Sequence, residues 1–331
     1  MTNTTSTISA VEMAHDKLGE VRKEVSRFIF GQEAITDQAL TALLAGGHIL
    51  LLGMPGLAKT KLVSILSKTL GFDTKRIQCT PDLMPSEIIG SEVMEEVDYG
   101  RRNFRFVQGP VFCQFLMVDE INRASPRTQS ALLQAMQERN VTVSGREYTL
   151  PSPFHVLATQ NPIEQEGTYQ LPEAQLDRFL IRIKIDYPDF EAERQIILNE
   201  RKKEEEIPRS VLFVNDMREM QLLVQRMEME PALLDKVIQF VRAGRPEHSS
   251  VEPVKRYVAW GPGPRATQAL TSIMRARALL NGRATPNFED FEASIESVMM
   301  HRMSLNYQAR TDGITLGDVL KAMLESAARA A

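Results

Sequence analysis

Lysine and threonine stand together at 59 and 60, directly after a Gly-x-Pro-Gly turn in the stretch GMPGLAKTK, and the apolar run HILLL leads into that turn. A phosphate-cradling loop needs small residues, so that successive backbone N–H groups can converge on the phosphates. It needs a helix N-terminus behind them. It also needs a lysine for the β and γ oxygens and a hydroxyl for Mg²⁺. Gly53, Gly56, Lys59 and Thr60 supply these groups. Ala58 stands where the pattern G-x-x-x-x-G-K-[ST] has its second glycine. Its methyl fits if φ is negative there and Cβ points away from the nucleotide. A plain strand–turn–helix corner would not need Lys-Thr at the helix start.

The stretch FLMVDEINR delivers Asp119 and Glu120 to the C-terminal edge of an apolar strand. Adjacent carboxylates there are costly unless paired or metal-bound. In a nucleotide site the first holds Mg²⁺ through water and the second polarises the attacking water; the bland alternative is a salt-bridged strand end. HVLATQNP ends another strand in Thr159, Gln160 and Asn161, where an amide can orient water, although Asn-Pro is also a common turn. Arg178 in LPEAQLDRF is either a rim salt bridge or an arginine offered to a neighbouring subunit's γ-phosphate, a role worth several powers of ten in related chemistry. Arg265 opens a helix behind the Gly/Pro-rich loop WGPGP, from which it could fold back onto the phosphates as a second domain closes.

The elements that must position these groups follow from periodicity. Apolar residues recur at three and four from Val11 to Phe28, which predicts an amphipathic helix. The polar residues 1–10 predict disorder. A second helix is expected over EAITDQALTALLAGG, and a third from about Lys59 to Leu70. HILLL, KRIQCT, QFLMVDE, HVLATQN and LIRIKID read as strands. Residues 91–112 carry turn signals at Tyr99-Gly100 and Gly109-Pro110 and predict a hairpin or helix–hairpin insertion. Ser125-Pro126 is an N-cap followed by proline at the first helical position. VTVSGREYTL alternates on both sides of Ser144-Gly145, a β-hairpin signature. Strands alternating with helices imply an α/β layer fold with a mainly parallel sheet. After Pro188 the periodicity is helical throughout. We therefore expect an α/β domain over 11–187 and an all-helical domain over 188–331.

With 331 residues, two domains are expected. A charged fraction of 25% and a hydrophobic fraction of 43% are ordinary for a soluble globular protein. The longest apolar run, 49–52, is far too short to span a bilayer. The N-terminus lacks a basic segment and an apolar segment, so no signal peptide is read and the cytoplasm is the expected location. A net charge of −4 argues against a dedicated nucleic-acid binder. Cys79 and Cys113 lie in apolar segments and read as small buried hydrophobes. The histidines are scattered without Cys/His partners, so no metal site is expected among them. The charge run at 201–206 reads as a solvated helix end. Arg101, Arg102 and Arg105 are the only local basic cluster, on a solvated or a partner-facing loop.

Taken in this order, the motifs resemble the AAA+ ATPases over about residues 20–325, and the MoxR family in particular. GMPGLAKTK resembles a Walker A loop of the kind in which alanine before the lysine is usual, so Ala58 becomes a family marker. FLMVDEINRASPRTQSALLQAMQE, ATQNPIEQEGTYQLPEAQLDRF and GPGPRA carry the MoxR likeness, with glycine at 263 where the family often has serine. FRFVQGPVF is similar to the end of the family's helix-2 insert, and VTVSGREYTL to the hairpin ahead of sensor 1. The resemblance implies a P-loop core with a five-stranded parallel sheet between helices, followed by a helical lid. It implies that Gly53, Met54, Pro55, Gly56, Leu57, Ala58, Lys59, Thr60 and Lys61 hold ATP. It implies Walker B at Asp119 and Glu120, Mg²⁺ on Thr60 and Asp119, sensor 1 at Asn161, an arginine finger at Arg178 and sensor 2 at Arg265. FIFGQ matches the segment near adenine, so Phe30, Gly31 and Gln32 are base-side candidates. The family implies a ring, a hexamer by expectation, that remodels protein clients with von Willebrand A-domain partners. Rival readings are an MCM-like DNA motor, a magnesium-chelatase-type subunit and a scaffold that does not hydrolyse; intact Asp119, Glu120, Asn161 and Arg178 argue against the last.

Overall fold

A computed structural model describes residues 2–97, 101–163, 167–199 and 206–329. Its centre is a five-stranded parallel sheet of β1 (Ile49–Gly53), β2 (Thr74–Gln78), β3 (Phe115–Asp119), β4 (His155–Gln160) and β5 (Ile181–Ile185), in the spatial order β2-β3-β4-β1-β5. β1 and β3 are apolar on both faces, as strands covered on both sides must be. Ile49 and Leu51 join one core layer with the helices Thr2–Ser26, Glu33–Leu44 and Lys59–Thr69, while Leu50 joins the other with Pro126–Glu138. The expected strands are all present within a residue or two.

The N-terminal helix runs Thr2–Ser26, so the described part of 1–10 is helical where its polar composition predicted disorder. The reason is cooperative. Val11, Leu18, Val21 and Val25 are buried and hold the helix, and extending a formed helix outward costs far less than starting one. The described part of 91–112 takes the hairpin form without a helix of its own: Gly90–Val97 pairs antiparallel with Arg101–Gln108, and the short helix Pro85–Ile89 lies just ahead of the region. The Tyr99-Gly100 turn signal lies outside the described residues. Arg102 and Arg105 are exposed there, and Arg105 pairs with Glu95 at 2.6 Å. The second hairpin, Asn140–Val143 with Arg146–Thr149, turns on Ser144 and Gly145, both at positive φ as a type I′ turn requires.

Beyond β5 the chain is helical: Phe190–Asn199, Val214–Arg226, Pro231–Ala243, Pro264–Leu280, Phe288–Met299 and Leu316–Arg329 are the longer elements. One short ladder, Val258–Trp260 with Ser304–Leu305, ties two loops of this otherwise helical lid together. Helix Pro264–Leu280 packs on the N-terminal helices, so lid and sheet share one apolar layer. Of the 201–206 charge run only Glu206 is described, paired with Arg27 at 2.6 Å. Cys79 and Cys113 are buried.

Two histidines are built into the N-terminal end of the sheet as neutral rings. His48 Nδ1 accepts from the Val156 N–H at 2.9 Å, so its Nε2–H donates to the Met136 carbonyl at 3.1 Å. His155 Nδ1–H donates to the Gly47 carbonyl at 2.9 Å, and its Nε2 accepts from the Gln221 amide at 3.0 Å. Desolvation by burial pushes His48 down to about 3 and His155 down to about 4. Below pH 6.5 the unfolded chain takes up these protons and the folded chain does not, so stability is lost as pH falls from about 6.5 toward 4. The expected slope is about 1.4 kcal/mol per pH unit for each ring. Urea unfolding of the parent and a His48→Gln variant across this range checks it: the variant's slope is expected to be shallower, and equal slopes would contradict a neutral buried His48.

Candidate active site

β1 ends at Gly53, and the chain turns through residues 54–58 into helix Lys59–Thr69. Gly53 is required at the strand end, because a Cβ there would lie 3.0 Å from the Ile185 carbonyl oxygen of β5. Leu57 is buried and Met54 packs on the core, which anchors a loop whose other residues face outward. Gly56 has φ +86° and Ala58 has φ 55° and ψ 21°. The negative φ under which the Ala58 methyl would fit without strain is therefore not the one adopted. The helix must begin directly at Lys59, and the turn that aims its first N–H groups into the cleft passes through the left-handed region. An L-residue there costs about 1–2 kcal/mol, which is why glycine is the common solution. Lys59 Nζ donates to the Gly53 carbonyl at 2.7 Å. Burial lowers the Lys59 pKa, and Asp119 and Glu120 oppose that shift.

The carboxylates face this loop. Asp119 is 6% exposed and its Oδ2 accepts two contacts from Arg76, Nε at 2.7 Å and the terminal nitrogen at 2.6 Å. Glu120 also stands at positive φ, 55°. Its carboxylate accepts from Gln78 Nε2 at 2.9 Å and from Arg123 at 3.1 Å. Buried Thr159 on β4 joins the two: its Oγ1 accepts the Glu120 N–H at 2.9 Å and donates to Asp119 Oδ1 at 3.3 Å. Asn161 follows on the same strand end, with its Oδ1 accepting from the Ile163 N–H at 3.2 Å. Gly56, Lys59, Thr60, Asp119, Glu120 and Asn161 thus line one cleft of ≈ 420 Å³, and Lys61 opens onto it. Sequence reasoning missed Arg76 and Gln78 and assigned Thr159 no role. The alternation in TKRIQ puts Arg76 and Gln78 on one face, but only the pairing of β2 with β3 shows what that face meets.

On the base side, Gly31 has φ +66°, and a Cβ there would lie 2.4 Å from the Ala192 Cβ of helix Phe190–Asn199. Phe30 precedes it, half-buried. Gln32 is buried against the loop; its Nε2 reaches the Leu57 carbonyl at 3.5 Å, and its Oε1 has no hydrogen-bond partner. A buried acceptor without a donor next to a phosphate loop suits a base that carries an amino group. For Mg²⁺ the test is donor chemistry. The Thr60 hydroxyl and the Asp119 carboxylate are hard oxygens that line the same cleft, and they fit that ion.

Arg178 and Arg265 lie elsewhere. They share a second cleft with Gly47, His48, Asp177 and Arg302, and Arg265 stands 3.7 Å from Asp177. Gly47 and His48 precede β1, whereas the phosphate loop follows it. The two clefts are therefore separated by the length of β1, about 16 Å at the usual rise per residue. Arg265 does not meet this chain's own phosphate loop.

Residues 48–181 match the family model described as ATPase family associated with various cellular activities (AAA), and residues 252–323 match that of the AAA lid domain. Sheet order, phosphate loop, carboxylate pair and lid together define an AAA-type ATPase. The chain is 42% identical over 306 residues to Chaperone MoxR1 of Mycobacterium tuberculosis, covering 92% of this chain and 80% of that protein. It is 31% identical over 330 residues to Protein MoxR of Methylorubrum extorquens, covering 94% of each. A crystal structure of a candidate ATPase from Cytophaga hutchinsonii superposes with TM-score 0.90 at 37% identity, over 98% of both chains. The chain belongs to the MoxR family of AAA+ ATPases. Among the described residues no helix is long and apolar enough to cross a membrane.

The left-handed Ala58 gives a direct test. Ala58→Gly is expected to raise the unfolding free energy by about 0.5–1 kcal/mol, the relief of strain less the extra chain entropy of glycine. Ala58→Val is expected to lower it by more than about 1 kcal/mol, since a branched side chain tolerates positive φ least. Urea unfolding measures both; a destabilised Ala58→Gly protein would contradict the loop geometry.

Proposed function

We propose that this chain hydrolyses ATP as a ring of identical subunits and uses the cycle to remodel protein clients. One observation carries the ring: Arg178 and Arg265 lie at the opposite end of β1 from their own phosphate loop. A second copy packed head to tail would present them to that loop. The hexamer and the von Willebrand A-domain clients follow from family resemblance, and the chaperone role also from the name of the Mycobacterium tuberculosis relative. The hairpin Gly90–Val97/Arg101–Gln108 supports a client-facing role for the insert, since it exposes Met94 and Phe104, cross-strand neighbours.

Each chain residue then has a task. Lys59 leaves the Gly53 carbonyl for the β and γ oxygens, and the N–H groups at the start of helix Lys59–Thr69 hold the same phosphates. Thr60 and Asp119 would hold Mg²⁺, which when bound supplies neutralising charge at the phosphates. Asp119 is shared between that role and its contacts with Arg76. Glu120, released from Gln78 and Arg123, accepts the proton of the attacking water, and Asn161 orients that water. The water oxygen bonds to the γ phosphorus as the bond from that phosphorus to the bridging oxygen breaks, giving ADP and phosphate. Arg178 of the neighbouring subunit faces the charge that develops on the γ-phosphoryl group. Gln32, with Phe30 and Gly31, receives the base.

Lys59→Ala is expected to abolish ATP binding in a folded protein, measured by equilibrium titration with a fluorescent ATP analogue; unchanged affinity would sink the phosphate-loop assignment. Glu120→Gln is expected to bind ATP and turn over roughly a hundred-fold slower, and a parental rate would move the base elsewhere.

Assembly has its own test. Specific activity is expected to rise with protein concentration. Arg178→Ala is expected to bind ATP almost normally yet hydrolyse poorly. Mixing it with Lys59→Ala is expected to restore activity, because one variant keeps the nucleotide cleft and the other keeps the arginine. Absence of rescue together with concentration-independent activity would overturn the ring.

A further inference from the structure

Arg302 follows helix Phe288–Met299 of the lid and is 2% exposed. Its guanidinium does not face solvent or the nucleotide cleft; it brackets Arg178. Nε donates to Asp177 Oδ1 at 2.8 Å, one terminal nitrogen to the Phe179 carbonyl at 2.7 Å, and the other to the Leu180 carbonyl at 3.1 Å and the Val298 carbonyl at 2.6 Å. Its neighbour His301 donates from Nε2–H to the same Phe179 carbonyl at 2.9 Å. Arg182 on β5 answers from the other side, donating to the Met300 carbonyl at 3.1 Å. The second oxygen of Asp177 faces Arg265 on another lid helix at 3.7 Å. Groups from two lid elements therefore converge on Asp177, Phe179 and Leu180, the residues that flank Arg178.

Burying a guanidinium is costly unless its donors are matched, and an apolar side chain of similar volume would often hold two domains together at least as well. The fork gives what an apolar contact cannot, a fixed direction for three acceptors along the 177–180 stretch while a fourth, the Val298 carbonyl, ties it to its own lid helix. We infer that Arg302 is a positioning residue for Arg178: with Asp177 it mounts the arginine on the lid, so that lid movement in one subunit sets the arginine offered to the next. This rests on the reading of Arg178 as an arginine acting in the neighbouring subunit's site. The lid has a physical connection to its own nucleotide cleft. Helix Pro264–Leu280, which carries Arg265, packs on helix Glu33–Leu44, and that helix begins next to Gln32 beside the phosphate loop. A subunit's nucleotide would thereby bias the arginine it presents.

The test uses Arg302→Lys, which keeps the charge and loses the fork, and Asp177→Asn, which keeps the shape and loses the charge, both in the full-length assembled protein. Each is expected to bind a fluorescent ATP analogue within about twofold of the parent. Each is expected to lose at least about tenfold in kcat with KM little changed, the scale of a small misplacement at a reacting centre. Mixing either with Lys59→Ala is expected to restore activity, as for Arg178→Ala. A merely structural role predicts a lower melting temperature with parental kcat per folded molecule, or a loss that mixing cannot rescue; either overturns the inference. If Arg178→Ala itself keeps parental kcat, the arginine reading fails and this inference with it. If Arg178→Ala is rescued and the two variants are not, only the inference fails. A measurement on the unaltered protein needs no variant: amide exchange at 177–180 and 298–302 is expected to change together when a non-hydrolysable ATP analogue binds. Independent exchange of the two segments, or no response in either, overturns it.

Discussion

Two adjacent carboxylates at the C-terminal end of a buried strand are the constraint around which this molecule is arranged. Asp119 is nearly sealed from solvent, and an ion in that position without partners would cost several kcal/mol. The neighbours answer that cost in detail. Arg76 from β2 meets Asp119, Gln78 two residues on meets Glu120, and Thr159 from β4 bonds to both residues at once. The strands on either side of β3 are thus held in register by the same groups that make the cleft chemically useful. Lys59 belongs to the same balance, for the carboxylates offset the tendency of burial to discharge it.

Strain collects at the same place. Ala58 and Glu120 are both left-handed, and both line the cleft. Each conformation costs about 1–2 kcal/mol and persists because rigid structure holds both ends: β1 and the helix after it for Ala58, β3 and the short 3₁₀ turn at Ile121–Arg123 for Glu120. Without those bends the helix amides and the glutamate would not face the same volume.

A parallel sheet gives the subunit two unlike ends. The C-terminal ends of β1, β3 and β4 carry the phosphate loop, the carboxylates and Asn161, where open α/β sheets bind their ligands. The N-terminal ends carry His48 and, ahead of β5, the Asp177–Arg178 turn. Under the ring reading these ends are donor and acceptor faces of one repeating contact. The lid then matters less as a cover over its own nucleotide than as the mount for an arginine that leaves the subunit.

The sequence by itself determined most of what is local. Apolar runs bounded by glycine and proline located the five strands, and Lys59, Thr60, Asp119, Glu120 and Asn161 could be named because their roles depend on position at a strand end or helix start. The family was legible for the same reason, in contiguous motifs. What the sequence left open depends on partners distant along the chain or on backbone conformation that residue type only biases. The sign of φ at Ala58 stayed open because alanine tolerates the left-handed region at a cost that the surrounding fold can cover. Arg76 and Gln78 read as ordinary strand residues until β2 was paired with β3. The helical start at Thr2 follows from packing further along the helix. Arg265 was expected at its own phosphates, since nothing in GPGPR tells to which end of the sheet the lid brings it. Arg302 was silent in sequence; its acceptors lie more than a hundred residues away, and only the docking of lid on sheet brings a buried guanidinium to the turn that carries Arg178.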